Sequence, residues 1–585
     1  MKVIKIFLTC IFALALVLSF AACDDNIFDD NIFDDNIPDD TPQTVHQHTV
    51  EYSVNSDGKT CTVTGIGSFV DTDLCIPDYL DGYKVTAIGE KAFADQTQLT
   101  AIIIPETVET IGTRAFYGCT GLTEITIPAS VTSIGTQVFY KASNLSTVYY
   151  NSTYGSDSNQ FLAVANITKV VFGGQYVPNY ILKGCTNVKE VEIRDSVKSI
   201  SNSAFYGCSN LTSVVIPDSV TSIDHGAFSG CSSLTSIVIP DSVTSIDHGA
   251  FSGCSSLTSI VVPDSVTSIG EGTFWDCSSL TSIVIPDGVT SIGSYAFYKC
   301  SSLTSIVIPN SVTSIGICAF WDCSSLTNIV IPDSVTSIGT YAFSGCSSLT
   351  SIVIPDSVTS IGEWAFFDCS SLTSVYITDI AAWCKISFGG YSNPMWSGAD
   401  LYLNGELVTE LVIPDGVTSI GYSAFYGCSS LTSIVIPDGV TSISNSAFQY
   451  CSSLTSVVIP DSVTNIGHGA FYGCSSLTSI VIPDSVTSIG EWAFFDCSSL
   501  TSVVIPDSVK SIGNYVFSGC SSLTSVVIPD SVKSIGESAF RDCSSLTSIT
   551  YTGTAQRWAS VTKGSYWKYK VPATEVVCSD KTVTL

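Results

Sequence analysis

The chain has 585 residues, of which 13% are charged and 45% hydrophobic, and its formal net charge is −30. Such apolar content excludes a chain that is disordered throughout. Its acidity repels phosphate backbones, so nucleic acid is not an expected partner.

In chain order, Lys2 and Lys5 precede an apolar run, Ile6 to Phe20, of 15 residues. That run is short for a membrane-spanning helix and reads as a signal peptide over residues 1–22. Phe20-Ala21-Ala22-Cys23 resembles a bacterial lipobox, although leucine usually stands where Phe20 does. The resemblance implies lipidation of Cys23, and membrane contact only through that N-terminal anchor. Ordinary cleavage near Ala22 is the alternative. Residues 23–48 form an acidic tether: Asp24 to Asp40 reads DDNIFDDNIFDDNIPDD, whose like charges keep it extended.

From about Leu99 one pattern recurs at a spacing of 23 residues, as in Leu349 to Ser371, LTSIVIPDSVTSIGEWAFFDCSS. Leu477 to Ser499 repeats that copy without a change. Leu211 to Ser233 and Leu234 to Ser256 differ only at Val214 and Ile237, so duplication is recent. Within a copy, Ile352 and Ile354 share one strand face and Val353 takes the other. Pro355 ends the strand, and Asp356-Ser357 suit a turn. Val358 and Ile361 form a second apolar pair, Gly362 permits a bend, and Ala365, Phe366 and Cys369 close the coil with a short helical turn. No single copy buries this set alone, whereas stacked coils share a continuous core. Aromatic residues from Phe93 to Phe540 mark about 18 coils.

The expected fold is a β-dominated solenoid. Residues 49–378 form a first repeat array and 408–551 a second. Residues 379–407 break the period, and 552–585 read as a C-terminal cap. Trp383 and Ile386 parallel Trp558 and Val561, and Trp396 parallels Trp567. A hairpin follows in each segment, Leu401 to Val408 around Asn404-Gly405 and Val576 to Val583 around Ser579-Asp580. The internal segment therefore reads as a copy of the cap, with an unrelated insertion as the alternative.

The recurring I-P-x-x-V-T-x-I-G-x-x-A-F-x-x-C-x-x-L, with L-x-x-L-x-L at the strand, resembles the BspA-like leucine-rich-repeat family, also described as the Treponema pallidum-type repeat. The resemblance covers nearly all of the chain beyond about residue 50. It implies a bacterial surface protein, since some members are adhesins for matrix or plasma proteins or for other bacteria. It carries over no catalytic residue, and the fold does not fix the partner.

Chemistry is sparse. Sixteen of the 23 cysteines occupy the repeat slot, including Cys208, Cys231, Cys254 and Cys277. Parallel side chains on neighbouring coils stand farther apart than a disulfide spans, so these read as buried free thiols. Cys61 and Cys75 are the better candidates for a pair, and Cys318 reads as an exposed thiol or a tolerated surface change. His46 and His48 make a lone H-x-H. Asp224-His225 and Asp247-His248 offer zinc-type donors on adjacent coils, but copying of one pair explains them better. The aspartates at the turn, such as Asp218, Asp241, Asp264 and Asp287, read as capping side chains rather than a calcium edge. No phosphate-binding loop, nucleophile elbow or zinc-protease motif is present. Neither a cofactor nor a metal is expected, and no enzyme activity.

The candidate ligand-binding residues flank Ala-Phe, where coils vary while scaffold positions do not. Before it stand Tyr295, Tyr341, Trp364 and Trp492, with Tyr515 before Val-Phe; after the phenylalanine stand Tyr206, Trp275, Tyr298, Trp321, Phe367, Tyr426, Tyr472 and Phe495. Variation implies exposure, yet large rings abound, and such stripes mark binding sites. Packing of the rings on one another is the alternative. The strand face, with Val353 and its equivalents, is the rival site. The expected partner is an extracellular protein or a glycan, and the expected location is the bacterial outer surface.

Overall fold

The computed structural model describes residues 50–155, 162 and 166–585. The leader, Cys23, the acidic tether, His46 and His48 lie outside the described residues.

Alternation along each repeat sets the coil. In strand Ser351–Val353 and the residue after it, Ile352 and Ile354 are buried and Val353 is 45% exposed. Pro355 then opens a turn in which Val358 N–H donates to the Pro355 carbonyl at 3.1 Å. The sequence suggests Asp as the capping residue here, but serine takes that part between coils. Ser357 Oγ donates to the Val335 carbonyl of the preceding coil at 2.7 Å, and Ser334 to Val312 at 2.6 Å. Threonine and cysteine form further ladders, as Thr359 to Thr336 at 3.1 Å and Cys346 Sγ to Phe320 O at 3.2 Å. Turn carbonyls that a buried loop would leave unpaired are thus satisfied by side chains of the next coil.

After Ser360–Ile361, Gly362 brings the coils close: a Cβ there would stand 2.4 Å from the Thr340 nitrogen. The Ala-Phe segment that reads as a helical turn is instead a run of hydrogen-bonded turns. Its alternate amides point at the next coil. Tyr295, Phe297 and Lys299 N–H donate to the carbonyls of Ile317, Ala319 and Trp321, each at 2.8 Å. Tyr295 and Lys299 have φ of 57° and 59°, which a right-handed helix excludes. Phenylalanines stack beneath this edge, Phe320 on Phe343 at 5.4 Å with planes 1° apart.

The solenoid has about 22 turns of ~23 residues, more than the aromatic markers count. The additional turns lack Ala-Phe: the first coil near residues 50–90, the irregular stretch after residue 143, and the cap-like segments. Contacts divide the chain into two compact units, one ending at Val220 and the other spanning Thr221–Leu585. The first begins with an antiparallel pair, Glu51–Val54 on Thr60–Gly65. Its main ladder then runs parallel through Glu124–Ile127, Thr147–Tyr150, Lys169–Phe172, Glu190–Ile193 and Ser213–Val215. Register survives the irregular stretch because Tyr150 and Phe172 fill the core there, edge to face at 6.1 Å.

Beside ladders of two-residue strands such as Ser314–Ile315 on Ser337–Ile338, the second unit holds two series of longer strands. One runs from Ser236–Val238 to Asn328–Val330, and a continuing sheet of Ser351–Val353, Ser374–Ile377 and Asp400–Leu403 closes on the hairpin strand Glu406–Leu407. A new nine-stranded sheet starts at Glu410–Val412 and ends on the hairpin Glu575–Val577 with Thr582–Thr584. Among the described residues, the only α-helices belong to the two cap-like segments: Ile380–Cys384 and Ala555–Ser560. Asp379 caps the first helix, accepting Ala381 N–H at 2.6 Å, and Thr554 caps the second.

Two cysteine expectations need correction. Cys61 is a buried free thiol whose Sγ donates to the Tyr83 carbonyl at 3.6 Å, so it does not pair with Cys75. The two stand in different sheets, Cys61 on the Tyr83–Ile88 side and Cys75 beside Ala101–Ile103. Cys318 is not exposed: it is buried, because its side chain is short where Tyr341 and Trp364 are long, and Tyr295 is its hydrogen-bond partner. The repeat cysteines are buried free thiols. Burial raises their pKa, to about 12 for Cys254 and Cys119.

Candidate binding surface

Each coil turns its Ala-Phe edge through two left-handed residues, one just before Ala and one two places after Phe. Glycine suits the first slot and takes it in Gly226, Gly249, Gly272 and Gly469, at φ 58–61°. Large rings take the same slot elsewhere: Tyr180, Tyr295, Tyr341, Trp364, Tyr391, Trp492, Tyr515 and Tyr566, at φ 55–63°. A bulky residue in this conformation costs on the order of 1 kcal/mol. The rings recover part of that cost by touching.

In the second unit those contacts form one line. Trp275 stacks on Tyr295 at 5.2 Å, and Tyr298 meets Trp321 edge to face at 5.3 Å. Trp321 stacks on Tyr341 at 5.0 Å, and Tyr341 on Trp364 at 6.4 Å. Trp364 stacks on Tyr391 at 4.3 Å, Tyr391 meets Trp396 at 4.5 Å, and Trp396 stacks on Tyr426 at 4.0 Å. Tyr426, Tyr450, Tyr472, Trp492 and Tyr515 continue it. Phe367 and Phe495 lie against Trp364 and Trp492, each at 4.8 Å.

The line joins twelve of the thirteen sequence candidates. Tyr206 belongs to the first unit, half exposed under Lys183 at 5.9 Å. Tyr426 is in the line but not exposed: Trp396 covers it, leaving 6%. Burial also pushes its phenol pKa up. Sequence reasoning missed Tyr391, Trp396 and Tyr450. Tyr450 takes the second left-handed slot, where most coils carry Gly or Asp; its size there was the available signal. The other two come from the 379–407 segment, whose broken period hid their alignment.

The rival strand face is more exposed. Val238, Val307 and Val330 are 77%, 75% and 60% accessible, and Val458 and Val481 are each 72%. In the first unit Glu192 stands in that row, in register with Val215, and Lys169 bridges Glu190 at 2.6 Å in the row that continues into Ser213. His248 Nδ1 accepts Glu271 N–H at 2.9 Å, so that nitrogen is already engaged. Among the described residues no group of three or more metal-type ligands converges.

A search among curated proteins finds no match for this chain. Among solved structures, a leucine-rich repeat protein from Bacteroides ovatus is 26% identical, covering 80% of this chain and 94% of that one, with a TM-score of 0.42. A leucine rich cell surface protein from Faecalibacterium prausnitzii is 26% identical over 89% and 98% of the two chains, with a TM-score of 0.22. A T. pallidum Leucine Rich Repeat protein is 23% identical over 45% and 91%, with a TM-score of 0.21. The model of the BspA type leucine-rich-repeat region matches residues 82–176, 175–303, 267–390, 398–521 and 441–561. Repeat spacing, strand ladders and this match agree, and the chain belongs to the BspA-type leucine-rich-repeat family.

Proposed function

We propose that this chain is a bacterial cell-surface, adhesin-like protein that works by binding, with the aromatic line of its second unit engaging an extracellular protein. The observation that carries the reading is the choice of residue at the first left-handed slot. Glycine fits that slot without strain and is used in four coils, yet eight others hold Tyr or Trp, more than hold any other residue type. Strain kept where a strain-free residue is available points to function. Tyr and Trp also dominate protein-binding hot spots. A protein partner fits better than a glycan, because sugars lie flat on ring faces. Here neighbouring rings stack at 4.0–5.2 Å, so each pair takes up a face of both its rings.

Surface location rests on the apolar leader and Cys23. Cys23→Ala should move the protein from membranes to the medium. Unchanged detergent partitioning, with no acyl mass on the wild type, would sink the anchor. The binding test changes Trp275, Trp321 and Trp364 together to serine and screens matrix and plasma proteins beside a glycan array. Binding to the partner found should fall sharply while the melting curve holds. Full binding with lost stability would make the line structural, and would shift attention to the exposed valine row.

A further inference from the structure

A copied surface cannot by itself fix where a partner sits. Leu349 to Ser371 and Leu477 to Ser499 are identical, and the exposed valine row repeats one side chain from coil to coil. A partner laid along such a row finds the same contacts one coil further on. Its register is left open, as it is for a strand paired on a featureless neighbour. Specificity is a difference in affinity between places, so it needs a place that occurs once. Residues 379–407, where the period breaks between the two arrays, supply one.

The rings are also most open there. Among the described residues between Trp275 and Tyr566, the exposed aromatic side chains are Phe367 at 44%, Tyr391 at 45%, Tyr422 at 40% and Tyr450 at 42%. All four lie within or beside the interruption, and the other rings of the line in that span are half-buried or buried. Neighbours, not the copied sequence, decide this. Phe495, the twin of Phe367, lies flat on Tyr472 at 4.8 Å and against Trp492. One coil before Phe367 stands Ser344 in place of that tyrosine. Among rings of the described residues Phe367 therefore meets Trp364 alone, edge to face at 4.8 Å. Tyr422, beside Tyr426, stacks on none. Both keep at least one ring face clear of other rings. Between them Trp364, Tyr391, Trp396 and Tyr426 carry the stack across the joint. The Tyr391 and Tyr422 hydroxyls and the Trp396 indole N–H have no hydrogen-bond partner among the described residues. Open rings take an apolar side chain, and such donors take the carbonyls that flank it in an extended peptide.

We infer that the patch across the joint, Phe367, Tyr391, Tyr422 and Tyr450 around Trp396, fixes the partner's register by receiving one extended, apolar segment of polypeptide per chain. The inference rests on the binding reading above and deepens it by naming the place, the ligand chemistry and a stoichiometry of one.

The probe is a phage-displayed library of random dodecapeptides, selected on the full chain; the most enriched peptide is synthesised and titrated by calorimetry. The joint variant combines Phe367→Ser, Tyr422→Ser and Tyr450→Gly. Other coils carry these residues at the same positions, as Ser344, Ser294 and Gly473, so its melting should stay near that of the wild type. The peptide should have an apolar centre and bind once per chain. Its affinity should fall about tenfold or more on the joint variant, as loss of aromatic anchors does. Trp275→Ser, which removes a similarly exposed ring of the same line, should leave it unchanged. No enriched peptide, more than one peptide per chain, equal binding by the joint variant, or an equal loss from Trp275→Ser would overturn the inference. So would a sugar on a glycan array that the wild type binds and the joint variant does not, because the patch would then belong to a glycan. If the joint variant keeps the peptide while the triple serine variant loses it, this inference falls and the binding reading stands.

Discussion

The two cap-like segments are built on one plan and do different things. Each has a short capped helix with a buried tryptophan, Trp383 or Trp558, then a two-residue strand, then a terminal hairpin. Their outward sides differ. Gln556, Arg557, Ala559 and Ser560 of the terminal helix are exposed, and Tyr566 beyond it is 67% accessible. In the internal segment Ser392, Asn393 and Met395 are buried under the second array. Trp383 Nε1 donates to the Ala424 carbonyl at 2.7 Å, and Asn393 Nδ2 to Ser423 at 2.7 Å. A cap with a solvated outer face ends a solenoid, whereas one that offers donors to the first carbonyls beyond it becomes a joint. The strand ladder stops at this joint, yet the aromatic line crosses it through Tyr391 and Trp396.

Trp383→Ala should separate joint from end most strongly. Truncating a buried tryptophan costs about 3–5 kcal/mol, and this one also leaves the Ala424 carbonyl with one donor fewer. Hydrogen exchange should rise on both sides, in 374–377 and in 410–435. Trp558→Ala should cost a similar amount but loosen only the final coils. Matching exchange maps for the two variants would break the comparison. Asn393→Ala comes next, at about 1–3 kcal/mol for a buried carbonyl left short of a partner, and chemical denaturation should split into two transitions. A single unshifted transition would mean that Asn393 does not couple the arrays.

The thiol ladders should respond alike on both sides of the joint. Burial raises Cys300 on one side and Cys474 on the other, and takes Cys369 and Cys543 to about 12. The protonated thiol is favoured by folding, so the unfolded chain loses its protons first as pH rises. Stability from this source is therefore complete below about pH 8.5, the free-cysteine pKa, and is lost between there and about 12. Denaturation midpoints flat from pH 7 to 11 would refute it. The smallest effect expected is Trp364→Gly, where relief of a left-handed tryptophan offsets the lost stacking. The shift should stay within about 1 kcal/mol; a larger loss would make that ring a strut of the joint.

Much of this was legible in the sequence. Period, strand alternation, the Phe and Cys slots, both hairpins and the Trp383–Trp558 parallel follow from spacing alone. Trp396 and Trp567 show where alignment by residue type misleads. Trp364 N–H donates to Gly390 O and Ser538 N–H to Ser565 O, so Ser392, not Trp396, occupies the place of Trp567. Trp567 accordingly meets Phe540 edge to face at 6.4 Å in the core, while Trp396 lies on the outer line against Tyr426.

What the sequence determined by itself is the coil, because burial alternation and turn chemistry act within one 23-residue copy. What only the tertiary structure decided lies between coils. The Ala-Phe segment gives up its helix because its amides find carbonyls on the next coil, a partner that no single copy contains. For the same reason the rings form a line across the interruption: which edge faces which depends on stacking register, and the register is set by backbone contacts between residues 22 or more apart.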